Sequence, residues 1–295
     1  MTKSKTVIFF GSGPVAAKSL DFISSHFEIE AVITKPVPAH HKTAAPVETL
    51  ARKLNLPIFF ASSKVELDDV VERNSFTSDL GILIDYGVIV SQTVIDAFEF
   101  GIVNSHFSLL PQWRGADPIT FSILSGQNET GVSLMLIEPT LDTGKLIAVE
   151  KIAIDPQDTT PTLTEKLIDL SNKMLVRYVP GHLDGTIMPI EQTNADQATY
   201  SRKLSKSDGL IDWDKTAQQI ECQIRAYQGW PNSRTQINGV DIIVTKAHIS
   251  TTGQSPMDIR CHDGLYICID QLIAPSGKTM DAKSFINGYR ITSSK

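Results

Sequence analysis

The first half of the chain alternates short apolar runs with amphipathic stretches. TVIFF (6–10), IEAVIT (29–34), LPIFFA (56–61), DLGILID (79–85) and GIVNSHF (101–107) are rich in branched and aromatic residues, which predicts strands. Segments at about 14–25, 46–54, 64–73 and 92–97 carry helical patterning between them. Strands separated by helices imply βαβ units, hence an α/β fold with a doubly wound, mostly parallel sheet. GVSLMLIE (131–138) and KLIAVEKIAI (145–154) flank PTLDTG, which predicts a hairpin, and a helix is expected over about 161–178.

The periodicity then lapses. From Pro180 to about Ala198 the chain is rich in Gly, Pro, Asp and Gln, as a linker would be. One helix is expected at about 215–227, followed by strand candidates SRTQI (233–237), VDIIVTKAHIS (240–250), DIRCH (258–262) and LYICIDQLI (265–273). Asn238-Gly239 and Asp263-Gly264 are strong hairpin turns. A small β-barrel of the OB type fits that spacing. The expected division is a catalytic domain over 1–180, a linker over 181–202 and a C-terminal domain over 203–295. A length of 295 residues suits two domains, each with a core of its own.

Composition narrows the class without naming a function. Hydrophobic residues at 41% and charged residues at 20% are ordinary for a soluble globular protein. No apolar run approaches the roughly 20 residues needed to span a bilayer. The N-terminal apolar run is short and leads into a glycine turn, unlike a secretory signal. Cys222, Cys261 and Cys268 are odd in number and lack CxxC spacing, so a reducing cytoplasm is the expected home. The net charge of −6 hides an asymmetry: residues 201–295 carry 12 basic and 9 acidic side chains, the remainder 15 and 24. A mildly basic tail on an acidic body permits a nucleic-acid partner but does not demand one.

The candidate chemistry lies at strand ends. Asn104 and His106 alternate along one strand, so their side chains share a face, and Asp142 sits in the following hairpin. An amide and an imidazole on one face can aim N–H groups at a developing oxyanion while a carboxylate orients the imidazole, an arrangement suited to acyl transfer. Ser105 and Ser108 are poor nucleophile candidates: neither lies in a G-x-S-x-G elbow, and Ser105 points to the other face. His40-His41 lack zinc-ligand spacing, and no metal is expected. GSGPVA (11–16) matches a dinucleotide fingerprint, but Thr34-Lys35-Pro36 stands where an acidic residue should close the second strand. A glycine turn that lets strand and helix pack is the better reading.

Asn-x-His at 104–106, Ser-Leu-Leu-Pro at 108–111 and Leu-Asp-Thr-Gly at 141–144 together resemble the active site of the folate-dependent formyltransferases. WRGADPI, TYSRKLSKSDGLIDW (199–213) and IRAYQGWP (224–231) are similar to the branch of that superfamily acting on methionyl-tRNA, and the likeness runs from Thr6 to about Ile286. The resemblance implies a Rossmann-like formyltransferase domain with an OB-like C-terminal domain. It implies 10-formyltetrahydrofolate as co-substrate, methionyl-initiator-tRNA as partner, and action as a monomer without a membrane. Asn104, His106 and Asp142 would be catalytic, with protonated His106 and Asn104 donating to the oxyanion. Ser108, Leu109, Leu110 and Pro111 would hold the folate, with Tyr86 and Gly87 lining the pterin cleft. Lys35 and Lys42, in the loop 34–47, and Lys203 and Lys206 would contact tRNA. That loop is shorter and less charged than is usual in the family, and Phe107 and Asp85 replace small residues. Formyltransferases of amino-sugar nucleotides and hydrolases of formyl-folate share the three catalytic residues and remain alternatives, as does a catalytically silent tRNA-binding protein.

Overall fold

The computed structural model of the chain describes residues 6–37 and 44–292. Its first unit is built on seven strands in the order β3-β2-β1-β4-β5-β7-β8. These are β1 (Thr6–Phe10), β2 (Glu28–Thr34), β3 (Ile58–Phe60), β4 (Gly81–Leu83), β5 (Ile102–His106), β7 (Glu129–Leu136) and β8 (Leu146–Ala153). The first five in that order pair in parallel, and β7 runs antiparallel to β5. Helices α1 (Pro14–Ile23), α2 (Pro46–Lys53), α3 (Lys64–Arg73) and α4 (Gln92–Asp96) supply the crossovers. Covering both faces of a parallel sheet demands continuous apolar strands. Accordingly Val7, Ile8, Phe9 and Phe10 are all fully buried.

The strand order reverses between β1 and β4, where ligands settle in open parallel sheets. The glycine turn after β1 serves close packing there. A Cβ on Gly11 would lie 2.6 Å from the Ala16 Cβ and 2.9 Å from the Ile84 carbonyl, and one on Gly13 would lie 2.0 Å from a carboxylate oxygen of Asp85. No side chain larger than glycine fits at either position without displacement.

The chain divides less simply than the expected boundaries. One unit takes the residues up to Pro118, Gly131–Ile152 and Thr164–Ser201; the other takes Ile119–Thr130, Ala153–Leu163 and everything from Arg202. The inserts join the C-terminal residues through specific contacts: Thr160 Oγ1 donates to the Ala226 carbonyl, and Arg225 Nη1 donates at 2.9 Å to the Asp158 carbonyl. Two insert elements, α5 (Pro118–Leu124) and α6 (Thr160–Leu183), extend across these boundaries or lie within them. α6 runs beyond its expected end at 178 with Pro180 inside it, and Gly185 at φ +76° follows its last residue.

In the second unit, α7 (Ala217–Ala226) opens on a capping box between Thr216 and Gln219. Five antiparallel strands follow: β10 (Ser233–Ile237), β11 (Val240–Ser250), β12 (Asp258–Arg260), β13 (Tyr266–Ile273) and β14 (Thr279–Asp281). Asn238 and Gly239 both take positive φ, as a tight two-residue hairpin requires. β12 and β14 pair with opposite ends of β13, and α8 (Ala282–Tyr289), unforeseen in the sequence, starts on an Asp281 cap that accepts from the Ser284 N–H. Ile220, Ile224, Ile242, Ile267, Leu272 and Phe285 form the centre of this unit's core. The antiparallel sheet packed by helices agrees with an OB-like domain. Among the described residues no helix is long and apolar enough to cross a membrane.

Replacing Gly11 by alanine is expected to cost about 1–3 kcal/mol through overpacking of strand, helix and neighbouring turn. Chemical denaturation of the two proteins measures the difference, and an unchanged midpoint would show that the turn can relax.

Candidate active site

β5 lies beside β4 in the sheet, Leu83 pairing with Asn104, so the end of β5 opens near the strand-order reversal. Asn104 and His106 project from one face and are buried, 8% and 6% exposed. Ser105 points the opposite way and its hydroxyl meets that of Ser171 on α6 at 2.6 Å. That contact occupies the Ser105 hydroxyl away from the face that carries Asn104 and His106. The Asn104 amide takes no hydrogen-bond partner among the described residues and keeps its donors available.

His106 is held on both sides. Nε2 donates to the Trp113 carbonyl at 3.0 Å, which fixes the proton on that nitrogen, and Nδ1 lies 3.7 Å from Asp142 Oδ2. Burial pushes the imidazole below its ordinary value of 6.5, although Asp142 and the Trp113 carbonyl both pull it upward. Desolvation thus opposes the expected protonated His106, while the Asp142 carboxylate and the Trp113 carbonyl favour it, and burial is the larger influence.

Asp142 occupies the turn between β7 and β8 at φ +51°, with its side chain 11% exposed. The Gly115 N–H donates to its Oδ2 at 2.7 Å. Gly115 belongs to β6 (Arg114–Gly115), a two-residue strand that pairs with β9 (Tyr200–Ser201). Gln192 donates to the carbonyls of Asp142 and Gly144. Thus 190–201, expected to be a linker, packs into the site: Ile190 bridges to Leu146, and the Trp113 N–H donates to Thr199 Oγ1.

The Ser108–Pro111 turn is fixed from β7. Ser133, which pairs with His106 across the strands, donates to the Ser108 carbonyl at 2.8 Å and accepts from the Leu110 N–H at 3.1 Å. Ser108 is fully buried and its hydroxyl donates to the Gln112 carbonyl, while Leu110 packs in the core against Met135 and Leu146. Tyr86 departs from expectation. Its ring packs edge-on against Phe10 in the core, 1% exposed, with the hydroxyl donating to the Ala61 carbonyl, so its side chain lines no cleft. Gly87 is exposed at φ +66°, and a Cβ there would lie 3.1 Å from Lys35 Nζ. Lys35 therefore sits against the Gly87 turn, within the same unit as Asn104 and His106.

Lys42, with His40 and His41, lies outside the described residues. Lys203 and Lys206 are exposed in the second unit and form no ion pair among the described residues, whereas Arg202 between them and Ser201 is taken up by Asp208. Ser133, Gln192, Thr199 and the Trp113 carbonyl are site residues that the sequence did not disclose. Arg114 and Trp113 fall within the WRGADPI segment, the one signal that pointed to them.

The model of the formyl transferase family matches residues 5–179, and that of the formyl transferase C-terminal domain matches residues 203–290. The chain belongs to the formyl transferase family. This formyl transferase is 34% identical to a methionyl-tRNA formyltransferase of Pseudoalteromonas translucida, covering 98% of this chain and 95% of the relative. It is 33% identical to a methionyl-tRNA formyltransferase of Pseudomonas putida over 96% of each. In fold it is similar to an N-formyltransferase from Helicobacter canadensis, in complex with folinic acid and dTDP-3-aminofucose. The TM-score is 0.68 at 21% identity, covering 90% of this chain and 98% of that one. A likeness at that identity bears on the fold of the formyl transferase alone.

The neutral His106 has a consequence for stability. The unfolded imidazole takes up a proton near 6.5 while the folded one resists until lower pH, so stability present above 6.5 is lost as the pH falls towards the folded value. His106→Gln should flatten this part of the pH dependence of the melting temperature. An unaltered slope between about pH 7 and 5 would show that burial does not displace the His106 titration.

Proposed function

We propose that this formyl transferase transfers the formyl group of 10-formyltetrahydrofolate to the α-amine of methionine esterified to initiator tRNA, in the cytoplasm. The observation that carries the reading is identity of 33–34% over nearly the whole chain, both family segments included, to relatives named methionyl-tRNA formyltransferase. The juxtaposition of Asn104, His106 and Asp142 at one strand end supports it chemically.

When bound, 10-formyltetrahydrofolate supplies an activated formamide carbonyl that an amine can attack directly. The residues present offer such a ligand an unpartnered Asn104 amide and the exposed turn at Gly87. Asn104 donates its N–H to the carbonyl oxygen as negative charge develops there. With Nε2–H committed to Trp113, the bare Nδ1 of His106 and the Asp142 carboxylate are two acceptors facing one spot. Two acceptors 3.7 Å apart draw a donor between them, and the N–H of the attacking amine is the donor the reaction provides. Asp142 accepts that proton, steadied by His106 from the other side, and as the adduct collapses the bond from the formyl carbon to N10 breaks and the proton passes to the departing nitrogen of tetrahydrofolate. Gly115 N–H keeps the carboxylate oriented throughout.

An amino-sugar nucleotide as acceptor is the second reading, since formyltransferases of amino-sugar nucleotides share the Asn-x-His and the later Asp. Release of tetrahydrofolate, followed spectroscopically with Met-tRNA, an amino-sugar nucleotide or water as acceptor, separates the two readings and the hydrolase. Turnover is expected with Met-tRNA; turnover with the sugar nucleotide alone would overturn the proposal. Asn104→Ala should lower kcat about 100- to 1,000-fold, and Asp142→Asn by about 100- to 10,000-fold, without loss of folding.

Lys203 and Lys206, exposed and unpaired, are the proposed phosphate contacts. Replacing both by alanine should reduce the slope of log affinity for tRNA against log salt by about 1 to 2. An unchanged slope removes both from the interface.

A further inference from the structure

A polar clamp lies behind the Asp142 turn, and the chemistry above does not itself use it. Gln192 Nε2 donates to two carbonyls of the turn, Asp142 at 2.9 Å and Gly144 at 3.0 Å, while its Oε1 accepts from Arg114 Nη2 at 2.7 Å. Arg114 is 6% exposed, and its Nε has no partner among the described residues. A buried guanidinium with few hydrogen bonds is costly, so the one it makes to Gln192 is not readily exchanged.

The turn needs outside support. Asp142 holds a positive φ that residues with side chains rarely adopt, and a Cβ on Gly144 would lie 1.9 Å from the Leu136 carbonyl. Two consecutive residues of β6 grip it from different directions: Gly115 reaches the carboxylate directly, and Arg114 reaches the backbone through Gln192. Both grips are set by the same short strand. A shift of the turn relative to β6 would therefore break both at once.

We propose that Gln192, anchored by Arg114, is a positioning residue for formyl transfer, holding the β7–β8 turn so that the Asp142 carboxylate keeps its place beside His106. The proposal rests on the reading of Asp142 as proton acceptor given above. Gln192 touches neither substrate nor the reacting atoms in this assignment, so its effect must pass through Asp142.

The test measures kcat and KM of the full-length protein with formyl-folate and Met-tRNA for four variants. Gln192→Met keeps the length of the side chain without its donors. Gln192→Glu keeps the acceptor for Arg114 but sets a carboxylate against the two carbonyls. Asp142→Asn and the double variant Gln192→Met/Asp142→Asn complete the cycle. Both Gln192 variants should lose about 10- to 100-fold in kcat with KM for both substrates unchanged. The double variant should be no slower than Asp142→Asn alone, because a residue acting through the carboxylate has nothing further to remove. If Asp142→Asn is inactive but both Gln192 variants keep wild-type kcat, or if the two losses multiply, the positioning role is overturned. If Asp142→Asn itself keeps wild-type kcat, the assignment of Asp142 fails independently of what Gln192 does. If neither Gln192 variant folds, Gln192 supports the fold and not the reaction, and the proposal is overturned as well.

Discussion

The constraint on which the rest of the site depends is a carboxylate and an imidazole buried side by side without a hydrogen bond between them. At 3.7 Å, Asp142 and His106 are too far apart to share a proton directly and too close to ignore each other. Each is instead satisfied elsewhere: Asp142 by the Gly115 N–H, His106 by the Trp113 carbonyl. Because Trp113 and Gly115 are two residues apart on one segment, that segment sets the spacing of the pair. Anything that moves it alters donor and acceptor together.

This arrangement explains why so much of the surrounding structure is backbone hydrogen bonding in irregular segments. Trp113 takes a positive φ, and its N–H is held by Thr199 Oγ1; Arg114 and Gly115 pair with Tyr200 and Ser201. A two-residue strand has little stability of its own, and its pairing partner arrives from 86 residues further along the chain. The segment after α6 is therefore a structural part of the site. Its lack of apolar periodicity reflects the irregular path needed to reach the site rather than freedom of the chain.

The sequence disclosed the features that local rules control. β1, β2 and β5 read clearly as apolar runs, and the period of two along β5 placed Asn104 and His106 on one face and Ser105 on the other, as the structure has them. The Asn238-Gly239 turn read equally well, because its φ values are dictated by residue type. Tyr86 did not, and the reason is geometric: β4 ends at Leu83, and Asp85 takes φ +46°, which breaks the alternation that an extended strand would have carried to Tyr86. Gln192 was hidden for another reason. It lies in a segment with no periodicity, and its importance is created only by tertiary contacts to residues 78 and 50 positions away.

The protonation of His106 shows where a motif stops being informative. Asn-x-His with a later Asp suggests an imidazolium held by its carboxylate, as an exposed pair of those residues would be. Here desolvation acts on the charged ring in the opposite direction and outweighs the attraction of a carboxylate that is near but not bonded. A neutral ring whose Nε2–H is already given to Trp113 has no N–H left for an oxyanion. In the proposed mechanism the unpartnered Asn104 amide is then the donor, and His106 stands on the side of the reaction where a proton is received. In that proposal the division of labour among the three residues follows from burial and from one backbone carbonyl, neither of which the motif contains.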